Sequence, residues 1–198
     1  MKIFALDQSL TGTASFLIDF KSQDEAKVLD QKIFKTKLRG IYRLKHLKDE
    51  IEKYINSHEI DVFVRELHNF TQYGSSNGLH ALNGLIDVIA LEKRYLDTFD
   101  YMMISPTMWK KFCLGKGNVA KDTGYLLKID SFVKKLKWWD YGQIEDDNVA
   151  DALCIAVTAF FVKSYSEGEM FENLTKLKQE VLKKAVKVCF NYEGKKIK

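Results

Sequence analysis

The chain has 198 residues, 46% of them hydrophobic, enough to bury one substantial core with a small appendage. Its 31 basic and 27 acidic residues leave a formal charge of +4, which by itself says little about partners. No apolar run approaches the ~20 residues that span a bilayer, and Met1-Lys2-Ile3-Phe4 leads into a strand pattern instead of a signal peptide, so no membrane partner is expected.

Residues 2–7 form a short β-branched and aromatic run, and Gln8 to Thr13 carry turn chemistry. Thr13 to Phe20 alternates again and Lys27 to Phe34 supplies a third strand, giving a meander. From Arg39 to Ser57 the period changes: Ile41, Leu44, Leu47, Ile51, Tyr54 and Ile55 recur at helical spacing. Asp61 to Glu66 reads as a buried strand, Leu79 to Tyr95 as an apolar helix, and Tyr101 to Ile104 as a fifth strand. Pro106 opens a helix, where its missing N–H costs little. Lys121 to Lys135 and Asn148 to Tyr165 read as further helices, the second strongly apolar and preceded by acids that suit a helix N-terminus. After a break at Ser164 to Glu169, Glu172 to Val188 is amphipathic, able to cover the core, join a subunit interface or extend as an arm. The order predicts an α/β domain over residues 1–165, built on a mixed five-stranded sheet flanked by helices. Residues 166–198 add a helical extension and a basic tail, which is expected to be disordered.

Charge is unevenly spread. Between Ser105 and Lys137 eight lysines face only Asp122 and Asp130, a local +6 that leaves the rest of the chain at 4 − 6 = −2. A phosphate backbone would select such a concentration, and so would a plain solvated helix face. Cys113, Cys154 and Cys189 have no metal-type spacing, and the first two sit among apolar residues, as buried thiols do in a reducing compartment. A soluble intracellular protein, cytoplasmic in location, is expected.

The chemistry lies in acids at the ends of apolar runs: Ile3-Phe4-Ala5-Leu6-Asp7, Val62-Phe63-Val64-Arg65-Glu66, and Asp151 on the opening turn of a helix. Carboxylates there are costly to bury without a partner, and a divalent cation makes several tolerable together. Asp7 and Glu66 converge if their strands are neighbours, because such sheets form sites at the carboxyl ends of strands. Asn148 and Asp147, three and four residues before Asp151, fall on roughly the same helix face. Plainer roles exist for each: a turn residue for Asp7, an N-cap for Asp146 or Asp147, an ion pair with Arg65 for Glu66. No Ser or Cys nucleophile stands beside a histidine and an acid, which favours hydrolysis by metal-activated water over covalent catalysis.

These motifs resemble RuvC-type Holliday junction resolvases of the ribonuclease H-like nuclease superfamily, possible phage-type members included. Asp7-Gln8-Ser9-Leu10-Thr11-Gly12 is similar to the first motif, Val64-Arg65-Glu66 to the second, and Ser105-Pro106 through Lys110, Gly115-Lys116-Gly117 and Lys121 to the basic segment. Asn148-Val149-Ala150-Asp151-Ala152-Leu153 resembles the final motif, with Asn148 standing where that motif is acidic. The ordered set spans roughly residues 2–165.

The resemblance implies a ribonuclease H-like fold and a metal-dependent endonuclease of DNA recombination and repair. Such an enzyme cuts four-way or branched DNA by paired nicking, as a homodimer, and leaves 5′ phosphates. It implies Asp7, Glu66 and Asp151 as metal ligands, with Asn148 as a neutral fourth and Asp147 as a possible substitute, holding two Mg2+ ions for which Mn2+ can stand in. Lys110 and Lys121 would lie at the scissile phosphate, Lys116 on the backbone, and Phe70 and Tyr73 against unpaired bases. Two other readings remain open. A non-catalytic junction-binding module would follow from a degenerate site at Asn148. An actin-like ATPase fragment would follow from the phosphate-hairpin look of Asp7, Ser9, Thr11 and Gly12, although that architecture needs two lobes.

Overall fold

A computed structural model describes residues 1–67, 77–95, 99–122, 124–140, 142, 144–171 and 173–189. Five strands, β1 (Lys2–Asp7), β2 (Thr13–Ser22), β3 (Glu25–Phe34), β4 (Val62–Glu66) and β5 (Asp100–Ile104), form one sheet in the order β3-β2-β1-β4-β5. The meander β1–β3 is antiparallel, whereas β4 and β5 join parallel to β1 through helical crossovers. This is the mixed five-stranded sheet expected from the element order.

Among the described residues six helices flank it: α1 (Gly40–Asn56), α2 (Asn77–Tyr95), α3 (Pro106–Leu114), α4 (Tyr125–Val133), α5 (Asp147–Ser166) and α6 (Lys176–Cys189). β1 is central and covered on both sides, so its apolar run shows no polar alternation. Ile3 and Ala5 join the core under α5, while Phe4 and Leu6 join the core under α1 and α2. β3, at the edge, does alternate between exposed and half-buried positions.

α5 is apolar around its whole circumference because the sheet, α3, α4 and α6 enclose it. By length and composition alone it passes for a membrane span, which corrects the expectation that no apolar run comes near that length. With 83% of its apolar window buried, it is the central core helix.

Local chemistry sets the ends of the shorter helices. Ser105 caps α3 by accepting from Met108 N–H at 3.3 Å, and Pro106 occupies the first turn. Gly115 ends it in the left-handed conformation (φ +77°), a backbone state open to glycine. The helix expected from Lys121 begins only at Tyr125, because the Asp122 side chain accepts from Gly124 N–H at 3.0 Å, a turn-type bond that competes with the helix. α6 likewise starts at Lys176, not Glu172, with Thr175 Oγ1 accepting from Lys178 N–H at 3.4 Å. Its apolar stripe closes the protein's own core: Val181, Leu182 and Ala185 are buried, and the helix packs on α3, α5 and β5. Cys113 and Cys154 are free and buried, as their surroundings imply.

Candidate active site

β1 and β4 are parallel neighbours in a register that sets Leu6 opposite Arg65. Asp7 and Glu66 follow one residue later, so both acids stand at adjacent strand ends. The two-residue side-chain period sends Asp7 to the face of Ile3 and Ala5 and Glu66 to that of Val62 and Val64, the face that α5 covers. Arg65 goes the other way. Its guanidinium binds Asp87 of α2 through Nε–Oδ1 (2.6 Å) and Nη2–Oδ2 (2.8 Å), and its Nη1 donates to the Glu66 carbonyl at 2.7 Å.

The third carboxylate comes from α5. Asp146 is the N-cap, accepting from the N–H groups of Asn148 (2.9 Å) and Val149 (3.1 Å). One turn further, Asp151 is directed at the strand ends. Asp7, Glu66, Asn148 and Asp151 line one cavity of about 470 Å3, together with Lys110 and Lys121. Asp7, Glu66 and Asp151 are only 5%, 7% and 3% exposed.

Three acids buried together resist ionisation. Burial, then the charges of Glu66 and Asp151, holds Asp7 well above the usual carboxylate range. Burial pushes Glu66 up to about 7, opposed by a hydrogen bond from Trp109 and reinforced by Asp151. Asp151 is also raised by burial, against the pull of Lys121 and the Tyr125 hydroxyl. Burial works against the Lys121 ammonium, but Asp151, Asp7 and Asp147 outweigh it and raise its pKa.

Protein donors meet this charge. Trp109 Nε1–H donates to Glu66 Oε1 at 2.9 Å, Lys121 Nζ sits 2.8 Å from Asp151 Oδ2, and the Tyr125 hydroxyl donates to Asp151 Oδ1. Trp109 and Tyr125 were not among the residues singled out from sequence. A buried indole N–H or phenol O–H does need a partner, and that was the available signal.

The remaining sequence candidates separate. Asn148 lines the cavity with its Nδ2 donating to the Gly12 carbonyl at 3.4 Å, so its oxygen is the atom a cation would use. Asp147 does not line the cavity, and Lys116 is exposed outside it. Gly117 packs so closely on Thr107 that an added Cβ would meet it at 2.6 Å. Phe70 and Tyr73 lie outside the described residues. Gln8, unmarked beforehand except as part of a motif, is 3% exposed and lines the cavity with neither amide atom hydrogen-bonded.

Among the described residues, no three His, Cys, Asp or Glu side chains stand close enough to form a ready metal cage. The donor set nonetheless has the chemistry of a magnesium site: oxygen ligands only, three of them carboxylates whose mutual repulsion a cation would relieve.

No family model and no curated protein matches the sequence. Solved structures do match in three dimensions. The chain is similar to Thermus thermophilus RuvC (TM-score 0.64, 17% identity, covering 83% of this chain and 97% of that one). In complex with a Holliday junction substrate, the same resolvase gives a TM-score of 0.65 at 18% identity, covering 84% and 97%. The yeast mitochondrial Holliday junction resolvase follows at 0.58 and 10% identity, covering 78% and 77%. The fowlpox virus resolvase, in complex with junction DNA, gives 0.52 and 16%, covering 79% and 97%. The chain therefore has the ribonuclease H-like fold of RuvC, shared with resolvases from a bacterium, a yeast organelle and a poxvirus.

Proposed function

We propose that this chain is a metal-dependent endonuclease that cuts four-way or other branched DNA by paired nicking. The observation that carries the reading is the convergence of Asp7, Glu66 and Asp151 on one cavity with Lys110 and Lys121, in a fold shared with junction resolvases. Asp7, Glu66, Asp151 and the Asn148 oxygen would hold Mg2+, or Mn2+ in its place, two ions per site. The cations would supply activation of the attacking water and neutralisation of the phosphate. Lys110 and Lys121 hold the phosphate and offset charge that develops on it. Trp109 and Tyr125 fix the carboxylates of Glu66 and Asp151 in orientation.

Paired nicking of a two-fold junction calls for two sites related by a two-fold axis. α2 offers the surface for a homodimer. Ala81, Gly84, Val88 and Leu91 are exposed at spacings of three and four residues, with Val88 50% and Leu91 48% exposed. α6, which the sequence left able to join a subunit interface, spends its apolar stripe on its own core.

The neutral Asn148, and the donors already on Asp151, favour one competing reading, a junction-binding module without catalysis. Incubation with labelled four-way junction and linear duplex, in magnesium, manganese or chelator, separates the two. Metal-dependent nicking of the junction, lost in Asp7→Asn, supports the nuclease. Tight junction binding without cleavage in any metal supports the binding module.

A further inference from the structure

Gln8 follows Asp7 directly, lines the same cavity and is almost fully buried, yet its amide nitrogen and oxygen both lack a hydrogen-bond partner. Buried side-chain amides are paired in the large majority of cases, so an orphaned one beside a cavity points to a ligand. The chemistry of that ligand is restricted. A phosphate oxygen only accepts, which would leave Gln8 Oε1 bare. A cation would take Oε1 and leave the N–H groups bare. A nucleobase edge presents a donor and an acceptor side by side, as adenine N6 and N7 do for a carboxamide.

The surroundings suit a base as well. Leu10, Leu79 and Pro106 give the cavity apolar wall for a flat ring, and the Ser9 and Thr11 hydroxyls are tied to each other at 3.0 Å. Lys110 and Lys121 line the same cavity and serve the phosphate.

We propose that Gln8 determines specificity: turned from its buried position into the cavity that the residue lines, its carboxamide reads the edge of a nucleobase next to the phosphate held at Asp7, Glu66 and Asp151, with adenine the best fit. This deepens the nuclease reading and rests on it for the position of the phosphate.

The test uses four-way junctions randomised around the exchange point, cut in magnesium by wild type, Gln8→Met and Gln8→Glu, with the nick positions sequenced. Wild type should prefer one base, adenine first, at one fixed distance from the nick, by about tenfold. Gln8→Met should cut with a flat profile at that position alone. Gln8→Glu, which only accepts, should shift the preference toward cytosine, whose N4 donates. A Gln8→Met profile identical to wild type overturns the proposal and leaves the nuclease standing.

If no protein cuts, the nuclease reading fails, and the library is instead selected by binding in chelator. Base enrichment lost in Gln8→Met then supports base reading, and equal enrichment in both proteins overturns it. Gln8→Met replaces an unpaired buried amide by an apolar chain of similar length, so its melting temperature should equal or exceed that of wild type. A lower one would reveal a structural partner for the amide and count against the proposal.

Discussion

The indole N–H of Trp109 donates a 2.9 Å hydrogen bond to Oε1 of Glu66, with both side chains buried. The bond ties α3 to the end of β4 and works against the burial that raises the Glu66 pKa. Trp109→Phe keeps a ring in the core and removes the donor. We expect the Glu66 pKa to rise above about 7 and the metal concentration for half-maximal cleavage to increase by roughly 10- to 100-fold. A merely structural role for Trp109 would lower the melting temperature and leave the metal midpoint where it was. Metal titrations of wild type and variant read the difference.

Folding without metal should depend on pH in an unusual direction. Glu66 moves from an ordinary 4.5 to about 7 on burial, so the folded state holds its proton more tightly than the unfolded chain. The associated stability is fully present below pH 4.5 and is lost as pH rises through about 7. At about 1.4 kcal/mol per unit the loss is roughly 3 kcal/mol, to which Asp7 adds in the same direction. Thermal unfolding in chelator from pH 5 to 8 should show a falling melting temperature, flattened in Glu66→Gln. Saturating magnesium should restore stability at pH 8, because the cation binds the ionised acids and displaces their protons.

The acids of this site were legible in the sequence because ionisable residues at the ends of apolar runs are costly without a purpose. β1 and β4 then had only to be neighbours for Asp7 and Glu66 to meet. What escaped was contact between elements distant in sequence. Trp109 and Tyr125 sit at helical spacings that describe a core equally well, and nothing local shows that their polar tips reach Glu66 and Asp151. Asp147 was expected on the face of Asp151. Side chains in a first helical turn lean toward the N-terminus, and Asp147, the first residue of α5, falls outside the cavity. The start of α4 was misplaced because one Asp122 side chain turns the chain before the helix can begin.

Behind the site, Asp87 of α2 holds the buried guanidinium of Arg65 in two parallel bonds, and Tyr101 joins them through its hydroxyl. Removing one partner of a buried pair leaves the other charge uncompensated. Asp87→Ala should therefore cost about 3 kcal/mol, at the lower end for such pairs because the Asp87 side chain is 34% exposed. A shorter urea midpoint with an unchanged slope is the expected reading. The double variant Arg65→Met with Asp87→Ala should recover part of the loss, since it removes the stranded charge.

Asn148 is the position where this chain departs from the acidic pattern, and its effect can be reversed. Asn148→Asp would set a fourth carboxylate on a cavity whose three acids already repel one another. Without metal the variant should melt lower than wild type above pH 6, and the deficit should shrink as the pH falls and the acids regain protons. With magnesium the added charge should tighten binding, and the half-maximal metal concentration for cleavage should fall about tenfold, on the scale of one ligand's contribution. The paired outcome, weaker without metal and stronger with it, distinguishes a cation ligand from a group that serves only to hold the Gly12 carbonyl. If Asn148 has only that second role, Asn148→Asp loses stability in both conditions and the metal midpoint does not move.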